Sequence, residues 1–165
     1  MSILGHLAAA AAPWASFYND STITQALIAF GHFGGMMVAG GSAVTADRGV
    51  LQACRQAGSG RLRRIDDISG AHRTVIAALA VTSISGVLML AADLDNLARS
   101  PWFWLKMSLL LLLLINGWFM TRISQHLRRD GGIAPRLWGR LQLAATASLV
   151  LWFAVLLAGT LLSIA

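Results

Sequence analysis

Residues 100–120 read SPWFWLKMSLLLLLLINGWFM, and this stretch decides the class of fold. A helix rises about 1.5 Å per residue, so about 20 apolar residues cross the hydrocarbon core of a bilayer. The aromatic start, at residues 102–104, is typical of the belt of rings at a membrane–water boundary. The stretch therefore predicts a transmembrane helix. Lys106 stands out within it, because an ionisable group inside a span is costly and usually marks a functional position.

Three more apolar runs are long enough to cross a membrane. Together the four predict spans at about residues 23–46, 73–92, 102–121 and 141–164. The composition agrees, since 56% of the residues are hydrophobic, 12% are charged and the mean hydropathy is +0.65. We therefore expect an all-α integral membrane protein, a bundle of four transmembrane helices that forms a single domain over residues 1–165.

The arginines predict the orientation of this bundle. Residues 47–72 contain five arginines and residues 122–140 contain five more, whereas residues 93–100 contain only Arg99. By the positive-inside rule the two arginine-rich connections are cytoplasmic, so both termini are expected outside, on the periplasmic side of a bacterial inner membrane. The net charge of +6 then reflects topology and anionic lipid headgroups, and the expected partner is the lipid bilayer rather than nucleic acid.

The N-terminal segment is expected to lie at the membrane surface. It has no Lys or Arg before its apolar part, and Pro13 breaks that part, so a cleaved signal peptide is not favoured. Its rings, Trp14, Phe17 and Tyr18, would then lie at the headgroup level.

Small residues predict how the helices pack. In span one they recur at every fourth position, as Gly31, Gly35, Ala39 and Ala43. Such a ridge lets another helix backbone approach closely, and Gly86 in span two offers a similar surface. Span one is expected to continue as a helix to about Gln56, where a Gly- and Ser-rich break follows.

His32 is the candidate ligand inside a span. It follows the outer end of span one by about nine residues, which places it about 14 Å below the outer surface. A histidine at that depth needs a hydrogen-bond partner, a metal or a haem iron, so a bond to a backbone carbonyl and a role as ligand are both open. Met36 follows at i+4 on the same face, as a packing residue or a cofactor contact.

Lys106 lies about 7 to 8 Å deep by the same helical rise. Its stem has two possible courses. It can bend outward to the headgroups beside the aromatic belt, or it can point inward to the level of His32. In the second case it can bind a carboxylate, such as a porphyrin propionate, or transfer a proton.

Three other polar residues are weaker candidates. His72 opens span two and His126 follows span three, so the two could share a metal site at the cytoplasmic face. Asn116 can contact a cofactor, although an amide inside a span more often joins helices by hydrogen bonding. The sequence contains no CxxC, HExxH, P-loop or nucleophile elbow, and no set of intramembrane acids like that of a proton pump.

Four segments carry a resemblance to known families: GHFGGMMVAGGSAVTADRGVL, TSISGVLMLA, PWFWLKMSLLLLLLINGWF and WGRLQLAATASLVLWFAVLLAGTLL. Together they resemble a loose group of small bacterial membrane proteins that includes the CopD-type copper-resistance domains and the HemJ-type protoporphyrinogen oxidases. The resemblance implies that His32 corresponds to a span histidine involved in haem b binding. It implies that Lys106 corresponds to a lysine that assists the tetrapyrrole. The chain departs from the HemJ-type pattern at Asn116 and Gly117, where a histidine is expected.

Two functions follow as hypotheses. The first is a haem b-binding membrane protein for electron transfer or tetrapyrrole redox chemistry, with His32 on the iron and Lys106 near the propionates. The second is a non-catalytic accessory subunit of a larger membrane complex, or a copper transport component. A homo-oligomer is compatible with either, and the sequence does not decide whether the protein is an enzyme.

Overall fold

The computed structural model describes the backbone of residues 3–56 and 60–164, with all of their side chains except those of residues 3, 4, 63–72 and 95. The described chain is helical almost throughout. Its helices are α1 (Ile3–Asp20), α2 (Thr22–Arg55), α3 (Gly60–Ala92), α4 (Leu94–Arg99), α5 (Pro101–Arg129) and α6 (Pro135–Ile164).

Four helices are long and apolar enough to cross a membrane, which confirms an all-α membrane protein with four candidate spans. These segments are Thr22–Arg55, Arg73–Ala92, Pro101–Arg129 and Pro135–Ile164. All four long helices continue past the predicted spans at the end where arginines concentrate. As expected, α2 ends at Arg55 with Gln56 as its C-cap. The extra turns carry charged residues, so hydropathy alone does not include them in a span.

The long helices form two antiparallel hairpins. One consists of α2 and α3, and the other consists of α5 and α6. The hairpins are joined mainly by α2 against α6, whereas α3 and α5 touch only slightly. We call the end that contains the α2–α3 and α5–α6 connections the arginine-rich end, and the opposite end the α4 end.

Two apolar clusters hold the hairpins together. In the middle of the bundle, Ala39, Ala78, Leu113 and Trp152 contribute one buried side chain from each long helix. At the arginine-rich end a second cluster contains Val50, Ala53, Leu127, Trp138, Leu141 and Ala145. Many large apolar side chains elsewhere point outward, which suits a surface that contacts lipid rather than water.

The small ridge of α2 is used in part as predicted. A Cβ added at Gly35 would lie 2.9 Å from the Ala78 carbonyl oxygen, so this glycine is what allows α2 and α3 to meet. Ala39, the next member of the ridge, is completely buried. Gly31 is different, because nothing lies within 4 Å of a Cβ built there.

The N-terminal segment corrects one expectation. Pro13 does not break it, since α1 is continuous from Ile3 to Asp20. The helix packs mainly on α3, and the Trp14 indole Nε1 donates a hydrogen bond of 2.9 Å to the Leu88 carbonyl. This tertiary contact offsets the one intrahelical bond that a proline removes.

Candidate functional site

His32 is anchored to α3 through one ring nitrogen. Its Nδ1 lies 3.0 Å from the Thr82 carbonyl oxygen and 3.3 Å from the Ser85 hydroxyl oxygen. The Ser85 hydroxyl already donates to the Val81 carbonyl at 2.8 Å, so it can only accept from the ring. Because a carbonyl oxygen also only accepts, this network assigns the ring proton to Nδ1. The neutral imidazole then carries its lone pair on Nε2.

Gly86 makes room for this ring. A Cβ added there would lie 3.1 Å from Cε1 and 3.4 Å from Nδ1 of His32, which is closer than ordinary van der Waals contact. The sequence indicated Gly86 as a surface for another helix backbone. The structure instead uses the missing side chain to make room for the Cε1–Nδ1 edge of an imidazole against α3.

The second ring nitrogen is uncommitted. Within residues 3–56 and 60–164, no hydrogen bond reaches Nε2 of His32, and the side chain is only half-buried. Histidines that bind metals usually donate their other ring N–H to a carbonyl or carboxylate, which fixes both the tautomer and the ring orientation. The sequence analysis left open whether His32 bonds a backbone carbonyl or acts as a ligand. The two roles are compatible, because the carbonyl bond uses Nδ1 and a ligand bond would use Nε2.

Lys106 turns inward rather than toward the headgroups. Its stem crosses α6 at Gly159, where an added Cβ would lie 3.7 Å from both Cε and Nζ of the lysine. The side chain is half-buried, and Lys106 lies seven residues before Leu113 of the middle cluster, just as His32 lies seven residues before Ala39. In the described part of the chain, Nζ makes no hydrogen bond or ion pair. A cation in that setting favours an anionic partner.

Four helices therefore build one site, which we call the His32–Lys106 site. α2 supplies His32, α5 supplies Lys106, and α3 and α6 supply the bare backbones of Gly86 and Gly159. The site offers an imidazole lone pair and an ammonium group, a combination that can hold a metal centre with acidic substituents. Met36 is half-buried one turn further along α2.

Asn116 belongs to helix packing instead. Its Nδ2 donates to the Ala144 carbonyl of α6 at 2.9 Å and contacts the Met120 sulfur at 3.9 Å. Along α5 it lies ten residues from Lys106, about 15 Å by helical rise. The two residues thus occupy different levels of the bundle.

The proposed pair of His72 and His126 stays a prediction. His126 is exposed in the last turn of α5, and its Nδ1 bonds the Arg122 carbonyl at 2.8 Å within the same helix. The side chain of His72 lies outside the described residues. Among the side chains that are described, no group of three or more His, Cys or acidic residues is placed to hold a metal ion.

Asp47 is a polar residue that the sequence did not single out for chemistry. Its side chain is only 4% exposed and turns toward α6. There it lies near the Ser148 hydroxyl, while its buried Oδ2 has no hydrogen-bond partner among the described residues. A signal was present, since Asp47 continues the every-fourth-residue series of Gly35, Ala39 and Ala43.

These features define a class: a membrane protein of two antiparallel helical hairpins with a histidine and a lysine inside the bundle. The chain belongs to DUF6644, a family of unknown function, whose family model matches residues 5–165. No curated protein and no solved structure matches the chain. No link to the CopD-type or HemJ-type families was found.

Proposed function

We propose that the protein binds haem b within the membrane and serves in electron transfer, with His32 as an axial ligand of the iron. One observation carries the proposal. The Nδ1–H of His32 donates a hydrogen bond to the Thr82 carbonyl, which leaves Nε2 with a free lone pair inside a membrane helix. Imidazole in this state is the usual protein ligand of haem iron.

The donor set fits such a group. Haem b brings an iron that needs a nitrogen ligand and two propionates that need cations, and the site presents one imidazole and the ammonium of Lys106. Of the four long helices, only α2 has a described histidine at this level, so these helices of one protomer supply a single imidazole ligand. When bound, haem b takes up and releases single electrons. Thr82 and Gly86 hold the His32 ring, and Lys106 would hold the acidic substituents of the haem.

The test compares purified wild type with two histidine variants. His32→Ala removes the proposed ligand, whereas His126→Ala removes an exposed histidine that bonds only within its own helix. The proposal expects a Soret band in wild type and in His126→Ala, and its loss in His32→Ala. Equal bands in all three proteins would assign the haem to another ligand.

The location is part of the proposal. The arginine-rich connections support a bacterial inner membrane with that end in the cytoplasm and both termini in the periplasm. A single cysteine at exposed Ser163, introduced with Cys54→Ser, should react with an impermeant maleimide in intact spheroplasts. Labelling only after lysis would indicate the opposite orientation.

A second candidate is a subunit of a larger membrane complex, including one that handles copper. It is favoured by Gly31 and Gly41, where nothing lies within 4 Å of an added Cβ, so a helix from a partner or a second copy can approach α2 there. This function predicts a colourless protein that co-purifies with other membrane subunits. A pigmented protein that is stable alone would contradict it.

A further inference from the structure

The joint between the two hairpins contains a buried acid. Asp47 lies on α2 with 4% of its surface exposed, and Ser148 of α6 faces it with 6% exposed. The Ser148 hydroxyl lies near the Asp47 carboxylate. The two residues belong to the contact between α2 and α6 that unites the hairpins.

Among the described side chains, the carboxylate has no counter-charge. Its Oδ2 is buried and makes no hydrogen bond to them, and the polar side chain beside it is that of Ser148. The nearest arginine in sequence, Arg48, is exposed, as is Arg140 of α6. From α5, Arg122 is exposed and stacks on Trp118 at 5.0 Å. The α3 side chains at residues 63–72 lie outside the described set.

Protonation of Asp47 would remove the unpaired charge from this buried position. An ionised carboxylate sealed from water and without a cation costs several kcal/mol, and such groups take up a proton instead. The carbonyl oxygen of the protonated group accepts from Ser148, and the open oxygen carries the proton.

We propose that Asp47 is a proton-binding site in the joint between α2 and α6. With the proton bound, the joint is neutral and packed. When the proton leaves to water, the charge that remains on the carboxylate favours opening of the joint. The site is separate from the His32–Lys106 site, which lies fifteen residues away on α2, about 22 Å by helical rise. It therefore stands whether or not haem binds.

Infrared spectroscopy of the full chain in lipid bilayers tests the proposal. The difference between wild type and Asp47→Asn at mildly acid pH should contain the C=O stretch of a protonated carboxylic acid, which shifts to lower wavenumber in D2O. Asn has the shape of the neutral acid, so the variant should fold. The matched control is Asp20→Asn, which changes an exposed carboxylate and should give no acid band.

Ser148→Ala provides a second test that does not depend on the Asp47 variant. Loss of the hydroxyl donor should move the acid C=O band to higher wavenumber, because a carbonyl without a hydrogen bond vibrates faster. The proposal is overturned if the difference spectrum for Asp47→Asn contains only carboxylate bands. It is also overturned if the acid C=O band keeps its wavenumber in Ser148→Ala.

Stability against pH gives an independent readout. A proton bound by the folded protein and released on unfolding stabilises the fold at acid pH, and this contribution disappears as the pH rises. The melting temperature of wild type should therefore fall relative to that of Asp47→Asn as the pH is raised. Parallel curves for the two proteins would contradict a bound proton.

Discussion

The imidazole of His32 rests against the bare Cα of Gly86, with 3.1 Å between its Cε1 and the position that a Cβ would occupy. This contact fixes the face of α3 on which the ring lies, and the Thr82 carbonyl fixes its rotation. Together the two contacts fix the direction of the Nε2 lone pair in the absence of a ligand.

Gly86→Ala should therefore displace the ring and weaken haem binding. Residues that orient a metal ligand typically change metal affinity about 10–100-fold when altered, and we expect a loss in that range in haem titration of the apoprotein. Gly41→Ala is the matched control, since an added methyl group there meets nothing within 4 Å. Equal haem affinity in both variants would show that the contact with Gly86 does not position the ligand.

Lys106→Met should weaken haem binding while it raises the stability of the apoprotein. Met keeps most of the apolar stem but removes an ammonium that has no partner among the described residues, so the apoprotein should melt at a higher temperature. Haem should nevertheless bind about tenfold more weakly, which corresponds to the loss of about 1.4 kcal/mol from a charge-assisted contact. Unchanged haem affinity would place the propionates elsewhere.

Asn116→Leu should destabilise the α5–α6 hairpin without altering the haem spectrum. The variant removes the hydrogen bond to the Ala144 carbonyl. Such bonds between membrane helices contribute about 0.6 kcal/mol on average and at most about 1.7 kcal/mol. Unfolding in mixed micelles measures the stability, and a shifted Soret band would indicate that Asn116 contacts the cofactor after all.

Gly35→Ala should loosen the α2–α3 hairpin. The new methyl group would lie 2.9 Å from the Ala78 carbonyl oxygen, a backbone atom that cannot move aside cheaply. Overpacking of this kind costs about 1–3 kcal/mol. Gly34→Ala, one residue earlier, meets nothing within 4 Å and should melt like wild type. Equal melting of the two variants would contradict the close approach at Gly35.

Hydropathy was sufficient to predict the four candidate spans, because a run of apolar residues is costly anywhere but in lipid. It did not predict the full length of α3, which begins at Gly60 and whose Leu62 packs beside the cluster around Leu127. The continuity of α1 through Pro13 also depended on a distant partner, the Leu88 carbonyl.

The candidate site, like the fold, was predicted where residue type was sufficient and missed where distant contacts decide. The residue types of His32 and Lys106 marked them as candidates, since polar groups inside spans are rare. The inward course of Lys106 depends on Gly159, which lies far away in the sequence, and no local pattern predicts it. Asp47 was not among the candidates, because its burial beside Ser148 depends on α6, which lies far away in the sequence.

The absorption spectrum of the detergent-purified protein, oxidised and then reduced with dithionite, tests the central claim most directly. A haem b site with His32 on the iron predicts a Soret band that shifts on reduction and is absent from His32→Ala. A colourless wild type after growth with haem precursor, or a band that survives His32→Ala unchanged, would contradict it.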